Sequence, residues 1–326
     1  MHTFIPAKVM LWQGYVLVIV GAVFLAYWTV GLKKLVDKKS PVKDVPPDAI
    51  SAINFLGTGI VLLVASLLFN PPDIWSWFAP NGLFWPLMAT SLLNIVIMYG
   101  IGRSLKGADA SLIAPIGAFG PLISILPSWL ILGEVPTTYG YTGLVLMFLG
   151  VYAMAFAERK KVKIETVPDW LKTMDGRPRL LAPLIMLFKG NKQVVIALAG
   201  AVCGAVSVNF DKLAAMRSSP IFAAAFIMIF IGLVGLLKTW KTGELKQIKK
   251  LHAMNLALGA LSLAAVLVLF WLAFNYGLAI YVSALKRTNT VFTLIFAYFL
   301  LGEKKELMNR LLGIAFILAG AVLLGF

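Results

Sequence analysis

Apolar residues run in blocks of about 20 along this chain, broken by short basic or aromatic connections. Ten blocks can be marked, at about 14–32, 49–69, 82–102, 110–132, 138–157, 194–210, 221–237, 256–276, 279–301 and 307–326. Each is close to the roughly 20 residues that a helix needs to cross a bilayer. The pattern predicts an all-α polytopic membrane protein of ten transmembrane helices. The first block is too long for a signal peptide, and Lys33 and Lys34 follow it, so it reads as the first span. In the fourth, Pro115, Pro121 and Pro127 predict a kinked or locally unwound helix, with its freed carbonyls turned toward a cavity or a neighbour.

The blocks repeat. Leu132-Gly133-Glu134 recurs as Leu301-Gly302-Glu303, and each is followed by glycines seven apart, Gly143 with Gly150 and Gly313 with Gly320. Gly21-Ala22-Val23 matches Gly200-Ala201-Val202, and the same offset sets Lys33 against Lys212, Ser40 against Ser219 and Pro41 against Pro220. Five spans have been duplicated. Because five is odd, the second copy enters the membrane from the opposite side, which gives two inverted five-helix repeats with substrate expected near the midplane between them. The domains expected are a first repeat at 1–157, a basic linker at 158–192 carrying a short interfacial helix near 180–188, and a second repeat at 193–326.

Composition agrees with this pattern. Of 326 residues 60% are apolar and 13% charged, and the mean hydropathy is +0.89, so no sizeable soluble domain is left over. The net charge of +15 lies in short loops and forms no continuous patch, which argues against nucleic acid. A single cysteine, Cys203, and two separated histidines, His2 and His252, supply neither a disulfide framework nor a metal site. No P-loop or metalloprotease motif and no carboxylate cluster is visible, so neither an enzyme nor a cofactor is expected. Bases fill the odd-numbered connections: Lys33, Lys34, Lys38, Lys39 and Lys43; Arg103 and Lys106; nine in the linker; Lys238, Lys241, Lys246, Lys249 and Lys250; Lys304, Lys305 and Arg310. Only Lys8, Lys212 and Arg217 lie on the other side. The positive-inside rule then sets both termini outside the cytoplasm of a bacterial-type inner membrane. On that far side the stretch 70–85 holds Trp75, Trp77 and Trp85 and no base, as suits an interfacial loop.

One block departs from the pattern. The ninth span contains Lys286 and Arg287, and Ser283, Thr290 and Thr293 continue a polar stripe at helical spacing. Adjacent cations within a hydrocarbon-length helix need a cavity or an anionic partner. Facing a cavity, Arg287 would grip a carboxylate or phosphate with its planar fork and Lys286 would add a point charge; the competing reading has both side chains snorkelling to the nearby helix end. Further cavity candidates are Asn209, Asn94, Asn275, Tyr27 and Tyr99, each of which could equally tie helices together. Asp211 and Lys212, expected at the end of the sixth helix, are candidates for a gate or ion pair, with Asp211 pairing to Lys212 or Arg287. Glu134 and Glu303 read as structural, and Asp109 as an N-terminal cap.

Two five-span halves, each ending in Leu-Gly-Glu, a polar turn and a Gly-x6-Gly helix, resemble the drug/metabolite transporter superfamily and its EamA-type members. The resemblance covers nearly the whole chain. It implies ten helices, no nucleotide-driven motor and a central cavity lined mainly by the first, third, fourth, sixth, eighth and ninth spans. The Lys286-Arg287 pair is similar to the phosphate-binding pair in the ninth helix of the triose-phosphate translocator branch. At the same distance from Leu-Gly-Glu the first repeat has Gly117 and Ala118, so the pair belongs to one half alone. The expected function is a secondary carrier of a small polar, anionic metabolite working by alternating access. The alternatives are an exporter of amino acids or drugs without anion preference, and a non-transporting membrane scaffold. Expected partners are the lipid bilayer and a small-molecule substrate; the sequence leaves a homodimer open.

Overall fold

The computed structural model of the chain describes residues 10–36, 47–69, 82–107, 116–157, 185, 192–247, 253–301 and 310–326. Several expectations lie outside these residues: the aromatic loop at 70–81, the cap at Asp109, Gly302 and Glu303, and the interfacial helix of the linker. The side chains of Lys33, Lys34 and Tyr99 also lie outside them. The rest is helical, with no strand among the described residues.

The spans fall where the apolar blocks predict. The first three are α1 (Trp12–Val36), α2 (Pro47–Phe69) and α3 (Phe84–Gly107). The fourth is broken into α4 (Gly120–Ile123) and α5 (Ile125–Leu132), and the fifth is α6 (Thr138–Ala157). In the second half come α7 (Lys192–Arg217), α8 (Pro220–Lys241) and α9 (Ala253–Ala273). The ninth span is divided into α10 (Ala279–Leu285) and α11 (Asn289–Leu301) by a 3-10 turn at Lys286–Thr288, and the tenth is α12 (Leu311–Leu323). Among the described residues α1, α2, α6, α7, α8 and α9 are long and apolar enough to cross a membrane, and the shorter apolar helices fill the remaining places. Large apolar side chains such as Phe24, Leu68, Trp240 and Leu312 stand exposed on the outside of the bundle, the surface that lipid tails cover.

Breaks occur where the sequence weakens a helix. Pro121 enters α4 at its first turn, and Pro127 follows the junction at Ser124. Neither proline can donate to the helix ladder, so the fourth span bends at that junction. Gly133 ends α5 with φ of 66°, and its amide and that of Glu134 return to the carbonyls of Trp129 and Ser128. Only glycine takes this left-handed turn without strain, which explains the middle residue of Leu-Gly-Glu.

Inversion is visible in how the halves meet. The closest packing pairs α2 with α8, α3 with α7, α6 with α12 and α1 with α9. Exchanging each span of one repeat for its equivalent in the other turns every one of these pairs into itself or another of them, as a pseudo-two-fold axis requires. All four are antiparallel. Along α2 and α8, Ala52 meets Gly235, Leu56 meets Gly232 and Gly59 meets Ile229. Along α6 and α12 the duplicated glycines meet reciprocally: a Cβ on Gly143 would lie 2.8 Å from the Gly320 carbonyl oxygen, and one on Gly320 would lie 2.6 Å from that of Gly143. Gly150 and Gly313 repeat the contact at 2.7 and 2.8 Å. Backbones can approach this closely only without side chains, so the repeated glycines seal the fifth span to the tenth.

Because backbone lies on the far side of these contacts, overpacking cannot be relieved by a side-chain rotation. Gly150→Leu is expected to destabilise the protein by about 3 kcal/mol or more, whereas Gly117→Ala, with nothing within 4 Å of the added methyl group, is expected to be tolerated. Thermal unfolding of the two purified variants in detergent checks this; equal melting temperatures would contradict the packing.

Candidate functional site

The two cations of the ninth span sit in its 3-10 turn. Here the helix changes pitch in mid-span, which re-aims successive side chains, and such a break in a longer helix often marks a functional hinge. Thr288 and Thr293 turn their hydroxyls back to the backbone of the same span, onto the carbonyls of Leu285 and Asn289 at 2.7 Å each. Thr290 reaches the Asn289 amide oxygen at 3.3 Å. The stripe predicted along one continuous helix is therefore divided, with Ser283 on α10 and Thr290 on α11.

Lys286 and Arg287 are partly buried and walled by other spans. The Lys286 ammonium lies 4.7 Å from the ring centre of Phe270 and 5.8 Å from that of Phe274, both from the end of the eighth span. Such faces attract a cation without neutralising it. The Arg287 guanidinium lies against Gly120 at the start of α4, 3.0 Å from where a Cβ would stand. Across from Lys286, the Asp211 carboxylate of α7 is within coulombic reach. The fourth span of the first repeat and the sixth and eighth of the second thus come to the pair, and the first and tenth spans pack against the turn that carries it.

Asp211 is held by a directional network. Thr90 on α3 donates its hydroxyl hydrogen to Asp211 Oδ1 at 2.5 Å. A hydroxyl has one hydrogen, so in the 2.8 Å contact between Thr90 and Ser207 the donor is Ser207. Asn94 in turn donates to Ser207 Oγ at 2.9 Å and to the Thr90 carbonyl at 2.9 Å. The donors thus run from Asn94 through Ser207 and Thr90 to one carboxylate. Asn94 therefore belongs to the network that positions Asp211. Thr90 and Ser207 were absent from the sequence candidates, although Thr90 with Asn94 and Ser207 with Asp211 are polar pairs four apart in apolar helices.

Lys212 faces the other way. It is 8% exposed, forms an ion pair with Glu134, which is 4% exposed, and donates to the Gly277 carbonyl at 2.6 Å. The second oxygen of Glu134 accepts the amide of Ala279, the first residue of α10, at 2.8 Å. Glu134 thus fixes three chain segments at one end of the bundle: the turn after α5, the buried Lys212 of α7 and the start of the ninth span. Tyr281 adds a further tie, since its buried hydroxyl receives the Thr137 amide at 2.9 Å where Thr137 caps α6 through a 2.9 Å contact to the Gly140 amide. These contacts join the two repeats.

The sixth helix does not stop near Phe210, where its apolar block ends. It runs on to Arg217, because the charges at Asp211 and Lys212 have partners on other spans and so need not emerge into water. Lys212 is consequently not a loop base, and removing it from the charge count strengthens the asymmetry between the two sides.

A cavity of about 600 Å³ opens at the end that carries Glu134. Among its lining residues are Glu134, Lys212, Asn275, Leu11, Met216 and Tyr276. Lys286 and Arg287 are not among them, and they lie about 10 Å further along the ninth span by its helical rise. The predicted residues therefore separate into groups. Asn275 and Lys212 line the vestibule; Asp211, Asn94, Lys286 and Arg287 form the inner cluster. Asn209 is fully buried and bridges spans, accepting from Ser128 at 2.5 Å and donating to the Ala205 carbonyl at 2.7 Å. Tyr27 is more than half exposed, packs edge-on against Phe296 and is not among the residues that line the vestibule. Trp28, its neighbour, has a buried indole nitrogen without a hydrogen-bond partner among the described residues.

A polytopic bundle of two inverted five-span repeats, with a charged cluster between them, defines a membrane carrier. The chain belongs to the EamA-like transporter family, whose model matches residues 12–156 and 191–326, one copy for each repeat. It is 27% identical over 150 residues to a protein named Uncharacterized transporter YwfM from Bacillus subtilis (strain 168), a match that covers 44% of this chain and 46% of that relative. The chain therefore spans less than half the length of that relative. A crystal structure with 17% identity superposes with a TM-score of 0.67 over 95% of this chain and 94% of the other, which shows a shared fold.

Breaking a buried ion pair by removing one partner strands the other charge. Glu134→Ala is expected to cost about 3–5 kcal/mol, and the double variant Glu134→Gln with Lys212→Met is expected to recover part of that loss. Thermal unfolding of the single and double variants checks this; a double variant less stable than Glu134→Ala would contradict the account.

Proposed function

We propose that this carrier moves a small, polar, anionic metabolite by alternating access, holding it at Lys286 and Arg287 between the two repeats. The observation that carries the reading is the setting of the pair. Two cations occupy a mid-span break, face aromatic rings and the small surface of Gly120, and have a single carboxylate, Asp211, within reach among the described residues. A partly buried site within the membrane span with more positive than negative charge is completed by an anion. Arg287 supplies the planar fork for a carboxylate or phosphate, and Lys286 the point charge.

The tie between Glu134 and Lys212 is the contact that closes one side. It joins the repeats at the base of the vestibule, so rocking one repeat against the other breaks it when that side opens. By the charge bias the vestibule faces away from the cytoplasm, both termini lie on that side, and the membrane is a bacterial-type inner membrane. The repeats occupy 1–157 and 193–326, with the linker between them on the cytoplasmic face.

Two experiments test this reading. In proteoliposomes given a panel of labelled phosphorylated and carboxylated metabolites from outside, Lys286→Ala and Arg287→Ala are each expected to lower uptake of the transported member about tenfold or more, as loss of a charge-assisted hydrogen bond implies. Unchanged uptake in both variants would remove the pair from the site, and transport of none of the panel would favour a scaffold. A terminal tag on the protein in intact cells is expected to be open to added protease; protection at both ends would reverse the orientation.

A further inference from the structure

The inner cluster is not charge-balanced, and the imbalance carries information about its substrate. Lys286 and Arg287 contribute two positive charges, and Asp211 contributes one negative charge held in place by the donor chain from Asn94 through Ser207 and Thr90. No other titratable side chain faces Asp211 among the described residues. The third, fourth and eighth spans bring no charged side chain to it, those of the seventh stand at its far end from Lys238 onward, and on its own helix Lys212 is engaged by Glu134. The Tyr281 hydroxyl of the ninth span is taken up by Thr137.

We infer that Asp211 is a resident counter-charge that sets which anions the site accepts: a monoanion binds as it stands, and a dianion binds together with one proton that Asp211 takes up. The inference rests on the anion site proposed above. With Asp211 ionised the cluster carries one net positive charge, which a monoanion neutralises. A dianion would leave the cluster negative within the membrane, at a high cost in desolvation. Protonating Asp211 restores neutrality. The proton comes from solvent and stays on Oδ2, the carboxylate oxygen that Thr90 does not reach, so the Thr90 hydroxyl keeps its hydrogen bond to Oδ1 and the chain from Asn94 is undisturbed. Lys286, released from Asp211, is then free to meet the second charge of the substrate. In the empty protein Asp211 plays the part of that charge, so the site does not cross the membrane with both cations unmatched.

The test uses the purified full chain and two ions whose own charge is constant between pH 5 and 8. Sulfate serves as the dianion and nitrate as the monoanion. Isothermal titration calorimetry in buffers of different ionisation enthalpy counts the protons taken up. For the wild type, sulfate binding is expected to take up close to one proton where Asp211 is ionised, with affinity rising about tenfold for each unit fall in pH over that interval; nitrate is expected to take up none. Asp211→Asn is expected to bind sulfate more tightly at pH 8 with no proton uptake, and Asp211→Glu to retain the uptake. The inference is overturned if wild-type sulfate binding takes up no proton, or if Asp211→Asn takes up as many as the wild type. Binding that needs Lys286 and Arg287 but shows no proton uptake overturns this inference and leaves the anion site standing. Failure of both ions to bind the wild type and Asp211→Asn overturns both.

Discussion

Every charge within the hydrocarbon layer must be matched, because the cost of removing an unpaired ion from water exceeds any single packing contribution. That constraint orders the interior of this transporter. Lys212 is matched by Glu134, Asp211 by Thr90 and Lys286, and the aromatic faces of Phe270 and Phe274 stand by the one ammonium. What is left over is positive charge at a break in the ninth span. The rest of the architecture, two antiparallel halves sealed by glycines, holds that excess between spans of both repeats.

The repeated motif takes on a physical meaning here. In Leu-Gly-Glu the glycine ends a helix by a left-handed turn, and the glutamate then reaches across the repeat boundary to a lysine and to the first amide of another span. A residue at a loop thereby becomes a connector between halves. Through Gly277 and Ala279 the same contact fixes the start of α10, and Lys286 follows directly at its other end. One short helix therefore connects the tie to the cationic pair.

Much of this was legible in the sequence, and the reasons are specific. Block length located the spans, and the fifth coincides with its apolar run because the charged run that begins at Glu158 and Arg159 ends it. Prolines foretold the break in the fourth span, and the odd number of spans per copy foretold the inversion. The sixth helix was cut short because Asp211 and Lys212 look like a helix end until their partners, Thr90 and Glu134, are brought up from the other repeat. Glu134 could not be matched to Lys212 from spacing, since 78 residues separate them. Nor did composition show that Lys286 and Arg287 lie in a 3-10 turn; a helical stripe was the natural reading of their spacing. Tyr27 stands more than half exposed against Phe296, a neighbour that an aromatic on an apolar helix gives no sequence mark of.

The central claim is that the excess positive charge of the ninth span receives an anion. Diffraction from crystals grown with selenate tests it most directly, since the selenium can be located by its anomalous signal. The account predicts a peak between the Lys286 ammonium and the Arg287 guanidinium, on the face toward the fourth and sixth spans. A well-ordered structure at saturating selenate with no peak there, or with its strongest peak elsewhere in the bundle, would contradict it.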